Sequence, residues 1–389
     1  MQECSNWDLT QFHAEKRPGN FVMKINALFF LLLALLLAGC TVSPKAVKFD
    51  GKDNYQVTYI GDIHFDGAEY HAEPLTERAQ KLHFTQWEGT SQKVLGAAAS
   101  QSKESAFIIQ LGDMIQGDCD NAELQGNAIK DVFALLKKFF PDKKVFSLIG
   151  NHEYRGKRDA SQAPEKYLIP LLKKELGSDA ELDGTNYAVK YGRDLYIFCD
   201  LRKNNIYEFT RNVIENTKDI RHIFFCSHLP MYPCSIGNPG WVVPGFKELI
   251  PLLAKHKAII INAHTHSMNY IVYQSKDGIL PQITVTSMGR EWLSGDIENT
   301  RYKSFNEWKN NIKPHFFTLP RYKWSIENLN FFKNEDFLCY LVSHLEPSGF
   351  VKLQIDGEKV TAHIYIDNSD KPAKSIILKD NKQIKLGVW

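Results

Sequence analysis

Five times along the chain a short apolar run, rich in β-branched residues, ends and polar residues follow at once. Residues 56–60 (QVTYI) precede GDIH, and 106–111 (AFIIQL) precede GDMIQGD. Residues 145–149 (VFSLI) precede GNHEY, 222–226 (HIFFC) precede SHLP, and 258–261 (AIII) precede NAHTH. Continuous runs of this length predict strands buried on both faces. Helical patterns lie between them. Residues 121–140 place Leu124, Ala128, Val132, Leu135, Leu136 and Phe139 on one face, with Asp120 or Asn121 as the capping residue. Residues 164–176 and 244–257 each open with proline, which suits a first helical turn. Strands alternating with helices predict a layered α/β domain. In open α/β sheets functional groups gather beyond the carboxyl ends of strands, and all five polar clusters stand at that end.

After Gly289 the texture changes. Residues 291–340 contain twelve Trp, Tyr or Phe residues with interleaved charges and poor periodicity. This predicts an aromatic-rich insertion, 291–345, packed on or overhanging the catalytic sheet. Its rings serve either as a core of its own or as a ligand platform. Residues 349–366 alternate apolar and polar positions around Asp356-Gly357, a hairpin signal. Residues 346–389 are therefore expected to supply closing strands and a polar tail.

The chain has 389 residues, 43% hydrophobic and 24% charged, with a formal net charge of +2. That balance is globular and excludes a disordered chain. It leaves no basic excess for neutralising a phosphate backbone, so no nucleic-acid binding is expected. Residues 27–39 (ALFFLLLALLLAG) carry no charge but are too short to span a bilayer. They suit the apolar region of a secretory signal, with Lys24 as its positive flank. The run ends in Leu37-Ala38-Gly39-Cys40, which resembles the bacterial lipobox, whose cysteine is acylated. The expected organisation is a leader over 1–39, a tether over 40–53 and a catalytic core over 54–290. Within the leader, 1–22 reads as an upstream mis-called start and 23–39 as the lipoprotein signal. Export and lipid anchoring at Cys40 to a bacterial outer membrane follow as expectations, with the folded part facing the periplasm or the surface. Beyond Cys40 stand Cys119, Cys199, Cys226, Cys234 and Cys339. Their spacing fits no disulfide framework, although Cys226 and Cys234 could pair.

The polar clusters supply Asp62, His64, Asp113, Asn151, His152, His228, His264 and His266. Carboxylate, imidazole and amide oxygen together suit Zn, Mn or Fe. They are too many for one ion with an open position, and suit two ions ~3.5–4 Å apart that share a carboxylate. Asp62-Ile63-His64, Gly112-Asp113, Gly150-Asn151-His152-Glu153, His228 and Ala263-His264-Thr265-His266, in that order, resemble the motifs of the calcineurin-like metallophosphoesterase superfamily. The resemblance implies layered sheets flanked by helices and a hydrolase of phosphate esters with two divalent or trivalent ions. It implies that Asp62, His64 and His266 hold one ion, that Asn151, His228 and His264 hold the other, and that Asp113 bridges both. His152 would stand beside the leaving group as proton donor or as stabiliser of developing charge. The two cations would acidify a bridging water to hydroxide for in-line attack on phosphorus. Glu153 suits an outer position that orients a ligand.

Two departures stand out. Ala263 replaces the family's usual glycine. Gly117 stands roughly where the protein Ser/Thr phosphatases carry a phosphate-gripping arginine, which argues against a phosphoprotein substrate. Arg155 and Arg158 could clamp a phosphate or belong to a solvated loop. Trp241 could stack on a flat substrate or simply pack. His71 and His83 follow the first motif and could line the cleft. Rival readings are a non-catalytic metal- or ligand-binding lipoprotein on the same fold, and an aromatic-rich module for carbohydrate or cell-wall attachment with phosphoesterase activity auxiliary.

Overall fold

A computed structural model of the chain describes residues 44–234, 240–289, 299–302, 304–310, 323–343, 348–381 and 383–384. The apolar leader and Cys40 lie outside them. In chain order the strands are β1 (Val47–Phe49), β2 (Asn54–Ile60), β3 (Ser105–Gln110), β4 (Lys144–Ser147), β5 (Tyr187–Tyr191), β6 (Asp194–Cys199), β7 (His222–Ser227) and β8 (Ile259–Asn262). They continue with β9 (Asn269–Ser275), β10 (Gly278–Thr284), β11 (Asn299–Tyr302), β12 (Asp336–Ser343), β13 (Gly349–Asp356), β14 (Lys359–Ile366), β15 (Lys374–Asp380) and β16 (Gln383–Ile384). A nine-stranded sheet has the order β1-β5-β6-β7-β8-β10-β9-β12-β11, and a seven-stranded sheet the order β16-β15-β14-β13-β2-β3-β4. The five apolar runs form β2, β3, β4, β7 and β8. β2, β3 and β4 are mutually parallel in one sheet, as are β6, β7 and β8 in the other.

Alternation along β6 shows how the layers stack. Tyr196 and Phe198 enter the core between the sheets, while Leu195 and Ile197 face the opposite way. Between the sheets Phe107 meets Tyr196 edge-on at 5.2 Å, and Phe146 lies 6.0 Å from Phe198. Outside the nine-stranded sheet the helices Ile206–Asn216 and Phe246–Lys255 bury Phe209, Val213, Leu249 and Leu253. The helices Gln92–Gln101 and Ala122–Phe139 add Val94, Leu95, Val132 and Leu136 to the core of the seven-stranded sheet. The order is helix, sheet, sheet, helix.

Asn121, not Asp120, caps the helix Ala122–Phe139: its Oδ1 accepts Leu124 N–H at 2.9 Å. Asp120 instead accepts Ala72 N–H (2.7 Å) and pairs with Lys157 (2.6 Å). The helix expected from residue 244 starts at Phe246, because Gly245 at φ 73° lies in the left-handed region and breaks the run behind Pro244. The 164–176 segment is helical from Pro164, with a π-helical first turn. The expected hairpin is β13–β14, turning at Gly357 with φ 57°. It joins the sheet beside β2.

β1 lies inside the stretch read as a tether and pairs with β5. In the aromatic-rich segment, β12 pairs with β9 and β11 with β12, so its described strands extend the nine-stranded sheet rather than overhang it. Phe305, Trp308, Phe332 and Tyr340 are buried in the core under that edge, so these described rings pack rather than form a platform, while Trp292, Phe316, Phe317 and Tyr322 lie outside the described residues. Cys119, Cys199, Cys226, Cys234 and Cys339 are buried free thiols, so the Cys226–Cys234 pairing does not form. No helix among the described residues is long and apolar enough to cross a membrane.

At the amino ends of β2, β6 and β7 a polar cluster joins the sheets. Asp194 is fully buried and accepts from Tyr55 Oη (2.8 Å), Arg221 Nε (3.0 Å), Arg221 Nη2 (2.5 Å) and His222 N (3.2 Å). Arg221 Nη1 also donates to Asp53 O at 3.0 Å and to Asp53 Oδ1 at 3.1 Å.

Candidate metal centre

The chemistry collects at the other ends of the strands. Asp62 and His64 follow β2, Asp113 follows β3, Asn151 and His152 follow β4, His228 follows β7, and His264 and His266 follow β8. Asp62 (φ 47°), His64 (52°), Asp113 (52°), His264 (70°) and His266 (55°) all take left-handed backbone. Left-handed backbone costs a non-glycine residue up to about 1–2 kcal/mol, less for aspartate. The cost is offset because neighbouring loops hold the conformation. Asp62 N donates to Gly112 O (3.1 Å), His64 N to Asp113 O (3.1 Å) and His264 N to Asp62 Oδ2 (3.1 Å). Gly150 lets the second and third loops touch, since a Cβ there would fall 2.1 Å from Asp113 Oδ1. Ala263 is accommodated: its φ is not positive, and its methyl faces Gly61, where an added Cβ would come within 2.8 Å of it.

The donor atoms form two groups. Those of Asp62, His64, Asp113 and His266 all lie within 4.8 Å of one another, and so do those of Asp113, His228 and His264. Asp113 belongs to both. His228 Nδ1 lies 2.8 Å from Leu111 O, which accepts its proton and leaves Nε2 as the atom an ion would take once it displaces the Nε2 proton. That Nε2 faces Asn151 Oδ1 (3.2 Å), His264 Nδ1 (3.1 Å) and Asp113 Oδ2 (3.2 Å). His64 Nε2 and His266 Nε2 face each other at 3.2 Å, and Asp62 Oδ1 lies 3.2 Å from His266 Nε2 without making a hydrogen bond. Lone pairs converging at these distances with so few protons to share are the donor set of cations. Asp62 and Asp113 are at most 1% exposed, a burial that carboxylates tolerate only when paired or ligated.

The electrostatics agree. Burial, reinforced by neighbouring imidazoles, holds His64 and His264 well below the usual histidine range, so both are neutral and ready to ligate. Burial pushes Asp62 up to about 6. Burial would also raise Asp113, but His228 and His152 hold it well below the carboxylate range. For His228 burial is outweighed by Asp113, which carries it up to about 9.

His152 stands at the edge of this set. Its Nδ1 donates to Gln116 O (2.6 Å), which turns Nε2 towards Asp113 Oδ2, 3.9 Å away. Its ring meets His64 edge-on at 4.6 Å. Glu153 is fully buried and accepts three backbone N–H groups: Asp113 (2.9 Å), Gly150 (2.7 Å) and Ile115 (3.1 Å). It fastens the loop of Asp113 to that of Asn151, while burial and the nearby Asp113 push its carboxyl up to about 7. Trp241 stacks on His264 with ring centres 4.8 Å apart and planes 6° apart, so one indole face is taken by a donor residue. His71 pairs with Asp66 at 2.9 Å and His83 with Glu88 at 3.3 Å, outside both donor groups. Gln116, Asp66 and Asp118 were not singled out from the sequence. Nothing in the motif spacing marks them, because they act through backbone geometry or through partners on other loops.

Residues 55–268 match the family model for calcineurin-like phosphoesterases. No curated protein sequence matches the chain. Among solved structures, purple acid phosphatase PPD1 from yellow lupin (Lupinus luteus) seeds aligns at 12% identity with a TM-score of 0.53, over 84% of this chain and 54% of that one. PhoD aligns at 9% identity with a TM-score of 0.53, over 87% of this chain and 72% of that one. The chain thus spans about half the length of the lupin enzyme, and at such identities the likeness is one of fold. With more than half of its length inside the matched region, the chain belongs to the calcineurin-like phosphoesterase family.

Proposed function

We propose that this chain hydrolyses phosphate esters at a two-metal centre. The observation that carries the reading is the Asp113 carboxylate, shared by two groups of donors. Asp62, His64 and His266 would hold one ion, Asn151, His228 and His264 the other, and Asp113 both; Mn, Fe and Zn all fit such donors. Ions bound there would acidify a water near neutral pH and draw charge from phosphoryl oxygens. The protein's own residues orient the rest. Gln116 O accepts the Nδ1 proton of His152 and holds Nε2 towards the shared carboxylate; as an imidazolium, protonated at both nitrogens, the ring can give its Nε2 proton to a leaving oxygen or steady its charge. Glu153 and the left-handed loops keep the donors in place before any ligand arrives.

The test is elemental analysis of the purified protein, followed by assays on a chromogenic phosphomonoester and a phosphodiester. Chelation should abolish turnover and added Mn²⁺ should restore it. A chain that holds two ions per molecule and turns over neither ester would be a binding protein instead.

Export and a lipid anchor at Cys40 belong to the same proposal and rest on the apolar run 27–39 and the Leu37-Ala38-Gly39-Cys40 sequence. With Cys40→Ser the chain should leave the membrane fraction and lose incorporation of labelled fatty acid. Unchanged fractionation and labelling would remove the anchor from the proposal.

A further inference from the structure

We propose that Arg155, held in place by Asp118, is a substrate-contacting residue that meets a phosphoryl or ester oxygen beside His152. The inference rests on the phosphoester reading above and adds a residue to it.

The loop after Asp113 and the loop after Asn151 lie backbone against backbone. His152 Nδ1 donates to Gln116 O (2.6 Å), Asp118 N to Arg155 O (2.8 Å) and Lys157 N to Cys119 O (2.9 Å). Two successive left-handed residues, Gly117 (φ 70°) and Asp118 (φ 60°), make the approach possible. A Cβ on Gly117 would fall 2.3 Å from His152 O and 2.8 Å from Arg155 O. This turn carries the Asp118 carboxylate to the Arg155 guanidinium. Oδ1 accepts from Nε at 2.6 Å, and Oδ2 accepts from Nη2. Bidentate pairing fixes the plane of the fork and uses one of its edges.

Nη1 is outside that pair. It lies 3.4 Å from His152 Nε2, which is itself 3.9 Å from Asp113 Oδ2. One donor nitrogen therefore stands a single imidazole away from the carboxylate common to both donor groups. Lys157, two residues on, is tied to Asp120 instead. Stability alone is a poor reason for the arrangement. The Arg155 side chain is 28% exposed and that of Asp118 is 44% exposed. An exposed pair is typically worth about 0–1 kcal/mol, its bidentate geometry fixes orientation more than it adds stability, and aspartate is among the residues that accept left-handed backbone. A guanidinium fixed at the rim of a phosphoester site meets an anionic oxygen with little further ordering cost, because its orientation is set beforehand.

The test compares Arg155→Ala, Arg155→Lys and Asp118→Asn in metal-loaded protein. The readouts are inorganic phosphate binding by calorimetry, kcat and KM on a phosphomonoester, and ion content. Arg155→Ala should keep its ions while phosphate binding weakens and KM rises about 10–100-fold, the size of a lost hydrogen bond to a charged group. Arg155→Lys restores charge without the fork and should recover part of the loss. Asp118→Asn keeps the guanidinium but loosens its hold, and should fall between parent and Arg155→Ala. Phosphate affinity and KM indistinguishable from the parent in Arg155→Ala would overturn the assignment, and so would loss of ions in that variant. If the parent holds two ions and cleaves no ester, the functional reading fails by itself, and the phosphate titration still decides Arg155.

Discussion

Asp113→Asn is expected to lower kcat by at least about a thousandfold and to reduce the ion content from two per chain to one or fewer. Asparagine keeps the size of the side chain and an oxygen that can accept the His152 backbone N–H, now 2.8 Å from Oδ1. What it removes is charge. Without Asp113 the group of Asn151, His228 and His264 consists of neutral donors alone, because burial and neighbouring imidazoles keep His264 uncharged and an ion would displace the proton of His228. The group of Asp62, His64 and His266 still has one carboxylate. One ion should therefore be lost before the other. Changes to residues that only support a ligand typically cost about 10–100-fold, so loss of a shared ligand must exceed that. Elemental analysis beside steady-state kinetics checks the prediction. Two retained ions with kcat within a factor of about ten of the parent, below the cost of disturbing a supporting residue, would show that Asp113 is not the shared ligand.

The candidate site was legible in the sequence because each donor lies within a few residues of a strand's carboxyl end. A strand places the residue after its last apolar position at a predictable edge, and parallel neighbours place several such residues at the same edge. The resemblance to the calcineurin-like family, carried by the order of those motifs, then implied which donors belong together. The conformation that aims them was not legible: nothing in Asp62, His64, Asp113, His264 or His266 as residue types calls for left-handed backbone. The sequence favours such φ values at Gly117, and there the consequence, the approach of Asp118 to Arg155, depends on a loop about forty residues away.

The aromatic segment was harder for a related reason. β12 pairs with β9 across a register shift between Phe337 and Cys339, which interrupts the alternation by which a strand is recognised. Its partner β11 is a short edge strand. The misplaced start of the helix behind Pro244 has a more local cause. Proline suits a first turn, but Gly245 in left-handed geometry postpones that turn by two residues. The helix Ile206–Asn216 lies outside the elements expected from the sequence, although its buried positions Ile206, Phe209, Thr210, Val213 and Ile214 have helical spacing.

The amino ends of the same strands perform a different task, and Arg221→Ala should expose it. Asp194 has no exposed surface, and the Arg221 side chain is 2% exposed. Removing the guanidinium leaves a buried carboxylate supported, among the described residues, only by Tyr55 Oη and the His222 N–H, and it removes the side-chain link to Asp53. Breaking one side of such a buried pair costs about 3–5 kcal/mol, a large part of the roughly 5–15 kcal/mol that keeps a domain folded. The midpoint of thermal unfolding should fall by roughly 6–15 °C. The pair is not the only solution for that space. Combining Asp194→Asn with Arg221→Met removes both charges, keeps an acceptor for Tyr55 and refills the volume, and should recover more than half of the loss. Because β2 runs from this cluster at Tyr55 to the metal-binding edge beyond Ile60, kcat and ion content below the melting range should match the parent in both variants. A melting point unchanged in Arg221→Ala would show that apolar packing, not this ion pair, fastens the two sheets. A drop in ion content at low temperature would show that the two ends of the strands are mechanically coupled.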